Sequence, residues 1–375
     1  MRAPEPALSR SAGISLALAL LVGLLAAALR LQVVPSLPLE WDEGVTLRAA
    51  YVYADAIENG HWSEIPRIQI NNEHPPAVKI LYGARLSGTP RDTWGALHAG
   101  QEVPVSLSEE VTALRRLSAF AGAAEAAGVA LVNPLAGVFL AANSYHRRYT
   151  SLLILEGVAG LFGVASVVLF GFAWRSRPGC EQPELRWAPL VLSAMALGLA
   201  AASKYIYGLP LLVLFPFLWV RANRPGPLLG FGVIAAATFF VAHPGLWNHP
   251  WQLIAGTLSF HADFASEHAR PFWHPLALMS HATSDDHHAQ FFGSTIDRIF
   301  LFFAVLGIPL LARKRPIWFA WALVAMAFLL LWPTKWAHYQ LIATPPLAMC
   351  AAFGIETALR PWFRWRGTKE LGASS

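Results

Sequence analysis

The sequence predicts an all-α polytopic membrane protein, a bundle of about 9–11 transmembrane helices with two long loops on its outer face. Three observations predict it. Of the 375 residues, 55% are hydrophobic and 14% charged, against roughly 25% charged in an ordinary soluble domain. Apolar windows of spanning length recur from residue 11 to residue 359, so 1–375 reads as one integral-membrane domain with no separate soluble body. The arginines stand in short clusters between those windows instead of along one face. Positive-inside topology explains them, and a nucleic-acid partner is not expected despite the net charge of +5.

A spanning helix needs about 20 mostly apolar residues. The windows that qualify lie at about 11–34, 152–173, 188–206, 205–220, 227–242, 298–312, 316–332 and 340–359. The first is longer than a signal-peptide h-region and is followed by Arg30 and Gln32, so it reads as a retained anchor. Residues 116–143 are too few for two full spans, and loop parity requires an even number of crossings there. Two short tilted helices broken at Asn133-Pro134, the first starting near Ser108, satisfy both constraints. Pro178-Gly179 and Pro225-Gly226-Pro227 read as tight turns. Cys180 and Cys350 fall in different segments and form neither a disulfide framework nor a zinc site.

Lys and Arg collect in short cytoplasmic loops. Arg2 and Arg10 place the N-terminus inside, and four later clusters (Arg175 to Arg186, Arg221 and Arg224, Arg313 to Arg315, Arg360 to Lys369) mark further cytoplasmic stretches, the C-terminus among them. Lysine is scarce and alanine abundant, a usage typical of a GC-rich bacterial genome, so the expected location is a bacterial inner membrane. Residues 35–115 and 243–297 then face outward, and the first of these loops holds eleven of the 23 acidic residues.

That loop opens with Leu39-Glu40-Trp41-Asp42-Glu43-Gly44. Three carboxylates within four residues at a membrane surface repel one another, which suggests either a task as base or cation ligand or a set of acids capping a helix from Val45 to Ile57. Asn71-Asn72-Glu73-His74-Pro75-Pro76 follows, with Lys79 and Leu81 beyond it. The prolines fix a corner that presents Glu73 and His74, Ala77 to Leu86 forms a short helix lying on the membrane, and Lys79 aims back along its first turn.

The order of an N-terminal span, the Asp42-Glu43 pair and then His74-Pro75-Pro76 with Lys79 and Leu81 resembles the integral-membrane glycosyltransferases of the GT-C fold. The likeness is greatest to the protein O-mannosyltransferases, with the bacterial aminoarabinose and RgtA/B/C/D-like sugar transferases as relatives. His146-Arg147-Arg148-Tyr149 with Glu156, Gly198 to Gly208 around Ser203-Lys204-Tyr205, His243 to Pro250 around Leu246-Trp247, and His338-Tyr339 before Pro345-Pro346 are similar to further segments of that family. The chain departs from the pattern in compressing residues 116–143 and in having no soluble outer domain after the last span.

The resemblance implies transfer of a sugar from a polyprenyl-phosphate donor to a hydroxyl of a protein, lipid or glycan acceptor at the outer face of the bilayer. The released phosphate monoester has a second pKa of about 6, so the leaving group needs cations rather than a proton. The acceptor needs one carboxylate, worth typically 10² to 10⁴-fold. Asp42 is the expected base, with Glu43 as a second catalytic carboxylate that orients the acceptor or assists a divalent cation. Lys79, Arg147, Arg148, Lys204 and Lys335 are the expected phosphate ligands, and Glu73, His74, Trp247, His338 and Tyr339 the substrate contacts. Lys204 and Lys335 end apolar spans, where a charge without a task costs free energy unless it snorkels to the interface. No metal or other cofactor is expected by likeness to the mannosyltransferases, whereas GT-C oligosaccharyltransferases use a divalent cation.

The second outer loop holds eight of the thirteen histidines (His243, His249, His261, His268, His274, His281, His287 and His288), at spacings too irregular for a recognised metal motif. Together with Trp247, Trp251 and Trp273 they read as interfacial or substrate-contacting residues, and Asp285-Asp286-His287-His288 matches no motif. The alternative function is a transporter or flippase for a lipid or small solute. Such a protein carries ionisable groups near the midplane, whereas residues 185–262 and 298–355 contain no acid.

Overall fold

The computed structural model describes residues 10–88, 108–175, 183–280 and 295–372, and among them fifteen α-helices. α1 (Arg10–Val33) ends where Pro35 opens a 3-10 turn over Val34–Ser36. α2 (Trp41–Glu58) and α3 (Ala77–Leu86) then pack together at that end of the bundle. The expected spans coincide with α1, α7 (Glu156–Phe172), α8 (Trp187–Ser203), α9 (Leu211–Ala222), α10 (Pro225–Ala242), α13 (Thr295–Lys314), α14 (Pro316–Leu331) and α15 (Thr344–Gly372). Two elements that the sequence did not announce, α11 (Pro250–His268) and α12 (His274–Ser280), fill the second loop.

Residues 108–142 differ from expectation in one respect. The break is where it was read: Asn133 takes the backbone N–H groups of Leu135 and Ala136 at 3.0 and 3.2 Å, and Pro134 opens α5 (Pro134–Ala142). The helix before it, α4 (Ser108–Val132), is not short. Its 25 residues make a rod of about 37 Å, packed along α1. Arg115, Arg116 and Glu125 hide it from an apolar window, yet Arg115 and Glu125 are buried against partners. The Pro225 segment is a second correction. The turn is made by Asn223, at φ 46°, and Pro225–Pro227 already belong to the first turn of α10, where a missing N–H costs nothing. Pro178-Gly179 lies outside the described residues, between a two-residue antiparallel pair, β1 (Trp174–Arg175) and β2 (Glu184–Leu185).

The helices pack in a chain of neighbours: α1 on α4, α4 on α7, α7 on α8, α8 on α10, α10 on α9, and α9 on α14. α13 and α15 form the closest pair, and α5 joins α15 to α1 and α4. That pair depends on Gly307 and Gly354, since a methyl on the first would run into the Cys350 carbonyl and one on the second into that of Phe303. A second apolar cluster seats the α2–α3 pair. Leu47, Tyr51, Tyr82 and Leu86 pack there on Leu114 and Leu153, and the Tyr82 hydroxyl shares a hydrogen bond with Ser118 Oγ (2.6 Å) and donates to the Ile154 carbonyl (2.8 Å).

Candidate active site

The site lies at the end of the bundle where α1 gives way to α2. Asp42 and Glu43 are neighbours in the first turn of α2 with opposite surroundings. Glu43 is fully buried and forms a two-pronged pair with Arg115 of α4, which donates to its two oxygens at 2.8 and 2.7 Å. It also accepts the N–H groups of Leu153 (2.7 Å) and Glu40 (2.9 Å). Arg115 further donates to the carbonyls of Val34, Leu37 and Pro38, so this pair clamps the α1–α2 link onto α4. With both oxygens committed, Glu43 has none to offer a metal or an acceptor, and its place differs from the catalytic one expected. Its effect is to fix the turn that carries Asp42.

The Asp42 side chain is 43% exposed. Its Oδ2 is 3.7 Å from His338 Nε2, which in turn lies 3.5 Å from Glu156 Oε1 at the start of α7. Glu156 forms a buried ion pair with Lys204, at the C-terminal cap of α8, and the Lys204 ammonium stands 5.1 Å from the centre of the Tyr339 ring. Asp42, Lys204, His338 and Tyr339 are therefore brought together from three distant stretches of chain, with Glu156 as the carboxylate that holds Lys204 and faces His338.

The Asn71–Pro76 corner is held by Lys79, which donates to the carbonyls of Ile70 (3.3 Å), Asn71 (2.7 Å) and His74 (2.8 Å). An ammonium has three N–H bonds, and all three are used. Lys79 thus serves as a corner post, its N–H bonds turned to backbone carbonyls; burial pulls its amine down to about 7, with Glu73 opposing. Asn71, at φ 52°, donates to Glu73 Oε1 at 2.5 Å. The His74 ring faces His261 of α11 at 6.3 Å between centroids. Burial first, then the positive charges of Lys204 and Lys79, hold His74 well below the usual imidazole range, so it is neutral at pH 7. Lys335 repeats the lesson of Lys79. Its ammonium caps α14 by donating to the carbonyls of Leu329 (2.7 Å), Leu330 (2.8 Å) and Trp332, and no N–H remains for phosphate.

Both arginines sit on α6 (Ser144–Tyr149). Arg148 donates to Glu40 Oε1 at 2.6 Å and leaves its Nε without a partner, while the Arg147 guanidinium makes no hydrogen bond among the described residues. Trp247 is half exposed and donates to the Phe240 carbonyl at 2.8 Å. No group of three or more His, Cys, Asp or Glu side chains with metal-holding geometry occurs among the described residues. His281 and Asp285 to His288 fall outside the described residues.

Two solved membrane proteins have similar structures. ArnT from Cupriavidus metallidurans bound to undecaprenyl phosphate superposes with a TM-score of 0.58 at 15% identity, covering 98% of this chain and 64% of that one. The apo oligosaccharyltransferase of Archaeoglobus fulgidus gives 0.54 at 13% identity, covering 95% and 52%. The chain therefore spans roughly one half to two thirds of the length of each. This is a GT-C fold. No family profile and no curated protein matches the sequence.

Within this GT-C bundle one polar cluster was not foreseen as a unit, although His146 belongs to a quoted motif. Arg30 of α1, Glu125 of α4 and His146 of α6 are all buried in the interior. Arg30 donates to Thr150 Oγ1 (2.9 Å), the Ala26 carbonyl (3.1 Å) and His146 Nδ1 (2.6 Å). A guanidinium is always the donor, so the ring proton sits on Nε2, which faces Glu125 Oε1 at 3.2 Å, off the N–H axis. The signal available in sequence was an ionisable residue within the apolar part of each of two helices, Arg30 in α1 and Glu125 in α4, which inside a membrane calls for a named partner.

Proposed function

We propose that this chain is a membrane glycosyltransferase that moves a sugar from a polyprenyl phosphate to an acceptor hydroxyl, with Asp42 as general base. The observation that carries the reading is the half-open Asp42 beside His338 and the buried Glu156–Lys204 pair, at one end of a GT-C bundle. ArnT holds undecaprenyl phosphate in its solved structure, which supports a lipid-borne donor here. The acceptor oxygen attacks C1 of the sugar while its proton passes to Asp42. The C1–O bond to phosphate breaks, and the phosphate leaves with its charge met by cations. Lys204, Arg147 and Arg148 serve as those cations: Arg147 makes no hydrogen bond among the described residues, Arg148 has a free Nε, and Lys204 shares its charge with Glu156. His338 lies between the two carboxylates and orients Asp42. Bringing the donor phosphate up to Lys204 competes with Glu156, so the pair is broken or shared when the donor binds.

The site faces the outer side of a bacterial inner membrane. Arg186, Arg221, Arg224 and Arg313 to Arg315 lie at helix ends remote from Asp42, which supports a cytoplasmic assignment for that opposite end. The buried Arg30–His146–Glu125 cluster is the one observation favouring a carrier, since transport pathways use interior charges. These groups are one another's partners, which favours the enzyme. Purified protein in lipid nanodiscs, offered a panel of polyprenyl-phosphate sugars, separates the readings. The enzyme releases polyprenyl phosphate and glycosylates an acceptor in a single membrane; a carrier releases none and moves solute only across sealed vesicles.

A further inference from the structure

Directly after His338 and Tyr339 comes Gln340, 1% exposed, with neither its amide oxygen nor its amide nitrogen hydrogen-bonded. It lines a cleft beside Phe328, Trp332, Trp336 and Tyr339, with Lys335 at its edge. The cleft shares two walls with the candidate site, because Tyr339 lies under Lys204 and the Trp336 ring is stacked parallel to His338 at 6.4 Å.

A buried amide with no partner forfeits its desolvation free energy for both donor and acceptor, so its retention calls for an occupant that supplies what is missing. Lys335 and Thr334, at the edge of the cleft, are already engaged. The three N–H bonds of Lys335 go to carbonyls, and Thr334 accepts from the Trp332 indole at 2.9 Å. No free charge is left for an anion. What remains is one acceptor, one donor group and four aromatic faces. A pyranose ring matches that inventory, because its C–H faces lie on aromatic rings and each hydroxyl both donates and accepts.

We propose that Gln340, in its cleft of Phe328, Trp332, Trp336 and Tyr339, seats an uncharged pyranose ring, either the glycosyl group of the donor or that of a saccharide acceptor. As it stands the cleft is too narrow for a water molecule. The sugar therefore enters by displacing a wall, and Trp336, 41% exposed, is the one lining ring at the surface. This assignment rests on the reading of the chain as a sugar transferase, and the test below keeps the two apart.

The variants are Gln340→Met, close in shape, and Gln340→Leu, in case the first folds poorly. With the donor that the wild type uses best, each is expected to lose about fivefold in kcat/KM for one hydrogen bond and about thirtyfold for both. Sugar preference among epimeric donors is expected to flatten, while the melting temperature holds or rises because an unpaired buried amide has gone. A rise in KM for the donor alone assigns the cleft to the donor sugar, and one for a saccharide acceptor alone assigns it to the acceptor. Wild-type rates and preference in both variants overturn the proposal. In parallel, saturation-transfer NMR with methyl glucoside, mannoside, galactoside and arabinoside probes the cleft without any reaction. Saturation in the wild type that is lost in the variants supports the seat even if no donor is turned over, a result that would sink the transferase reading alone. Equal saturation, or none in any form, overturns the seat.

Discussion

Lys79 and Lys204 look alike in the sequence, each a single lysine at the edge of an apolar stretch, yet the fold gives them different work. Lys79 spends all three N–H bonds on backbone carbonyls of the Asn71–Pro76 corner, whereas Lys204 pairs with Glu156 beside Tyr339. The two are expected to part under mutation. Lys79→Met should lower the melting temperature and leave affinity for polyprenyl phosphate within about twofold. Lys204→Met, made with Glu156→Gln so that no buried carboxylate is stranded, should weaken that affinity about ten- to a hundredfold relative to Glu156→Gln alone. Titration of polyprenyl phosphate into each protein reads both, and equal losses would contradict the division. His243 offers a test by pH. It is 2% exposed, receives or donates a 3.1 Å bond with the Tyr205 hydroxyl, and burial pulls it down to about 4. Below its ordinary value of 6.5 the unfolded chain takes up a proton that the folded chain refuses, so its contribution is complete above pH 6.5 and drains away as pH falls toward 4. The loss amounts to about 3 kcal/mol over that window. Melting temperatures from pH 7 to 4.5 should therefore fall less steeply in His243→Gln than in the wild type.

At the scale of elements, hydropathy made most of the bundle legible, because a spanning helix must be apolar over its whole length whatever its neighbours. It failed at α4, where the polar residues that a window counts as breaks are paired across helices: Arg115 with Glu43 and Glu125 with His146. Pairing between distant segments is not visible in one chain. For the same reason the motif could put Asp42 forward as a candidate carboxylate, while the structural part of Glu43 stayed hidden, since its partners come from α4 and from Leu153. The roles of Lys79 and Lys335 were hidden too, because backbone carbonyls carry no sequence signature. The α13–α15 contact makes a prediction of its own. Gly307→Ala or Gly354→Ala places a methyl against backbone that cannot swing aside, so each should force the helices apart. The cost is expected to be about 1–3 kcal/mol or more, as in overpacked cores. Gly256→Ala, where nothing lies near, is the control that should leave the melting temperature unchanged.

For the whole molecule, the proposed chemistry depends on which side of the membrane Asp42 faces. α11 and the Asp42 cluster belong to one end of the bundle, and the Asn223 turn to the other. In a Cys180→Ser background, Ser266→Cys is expected to react with a membrane-impermeant maleimide in intact spheroplasts, and Asn223→Cys only after permeabilisation. The reverse pattern would place the site in the cytoplasm and contradict the outer-face assignment. The most direct test of the central claim is the single-turnover rate of sugar transfer from the best polyprenyl-phosphate donor, measured for wild type and Asp42→Asn at saturating lipid. A carboxylate that takes the acceptor's proton predicts a fall of about 10² to 10⁴-fold with the melting temperature and polyprenyl-phosphate affinity unchanged. Equal rates in the two proteins would remove Asp42 from the chemistry.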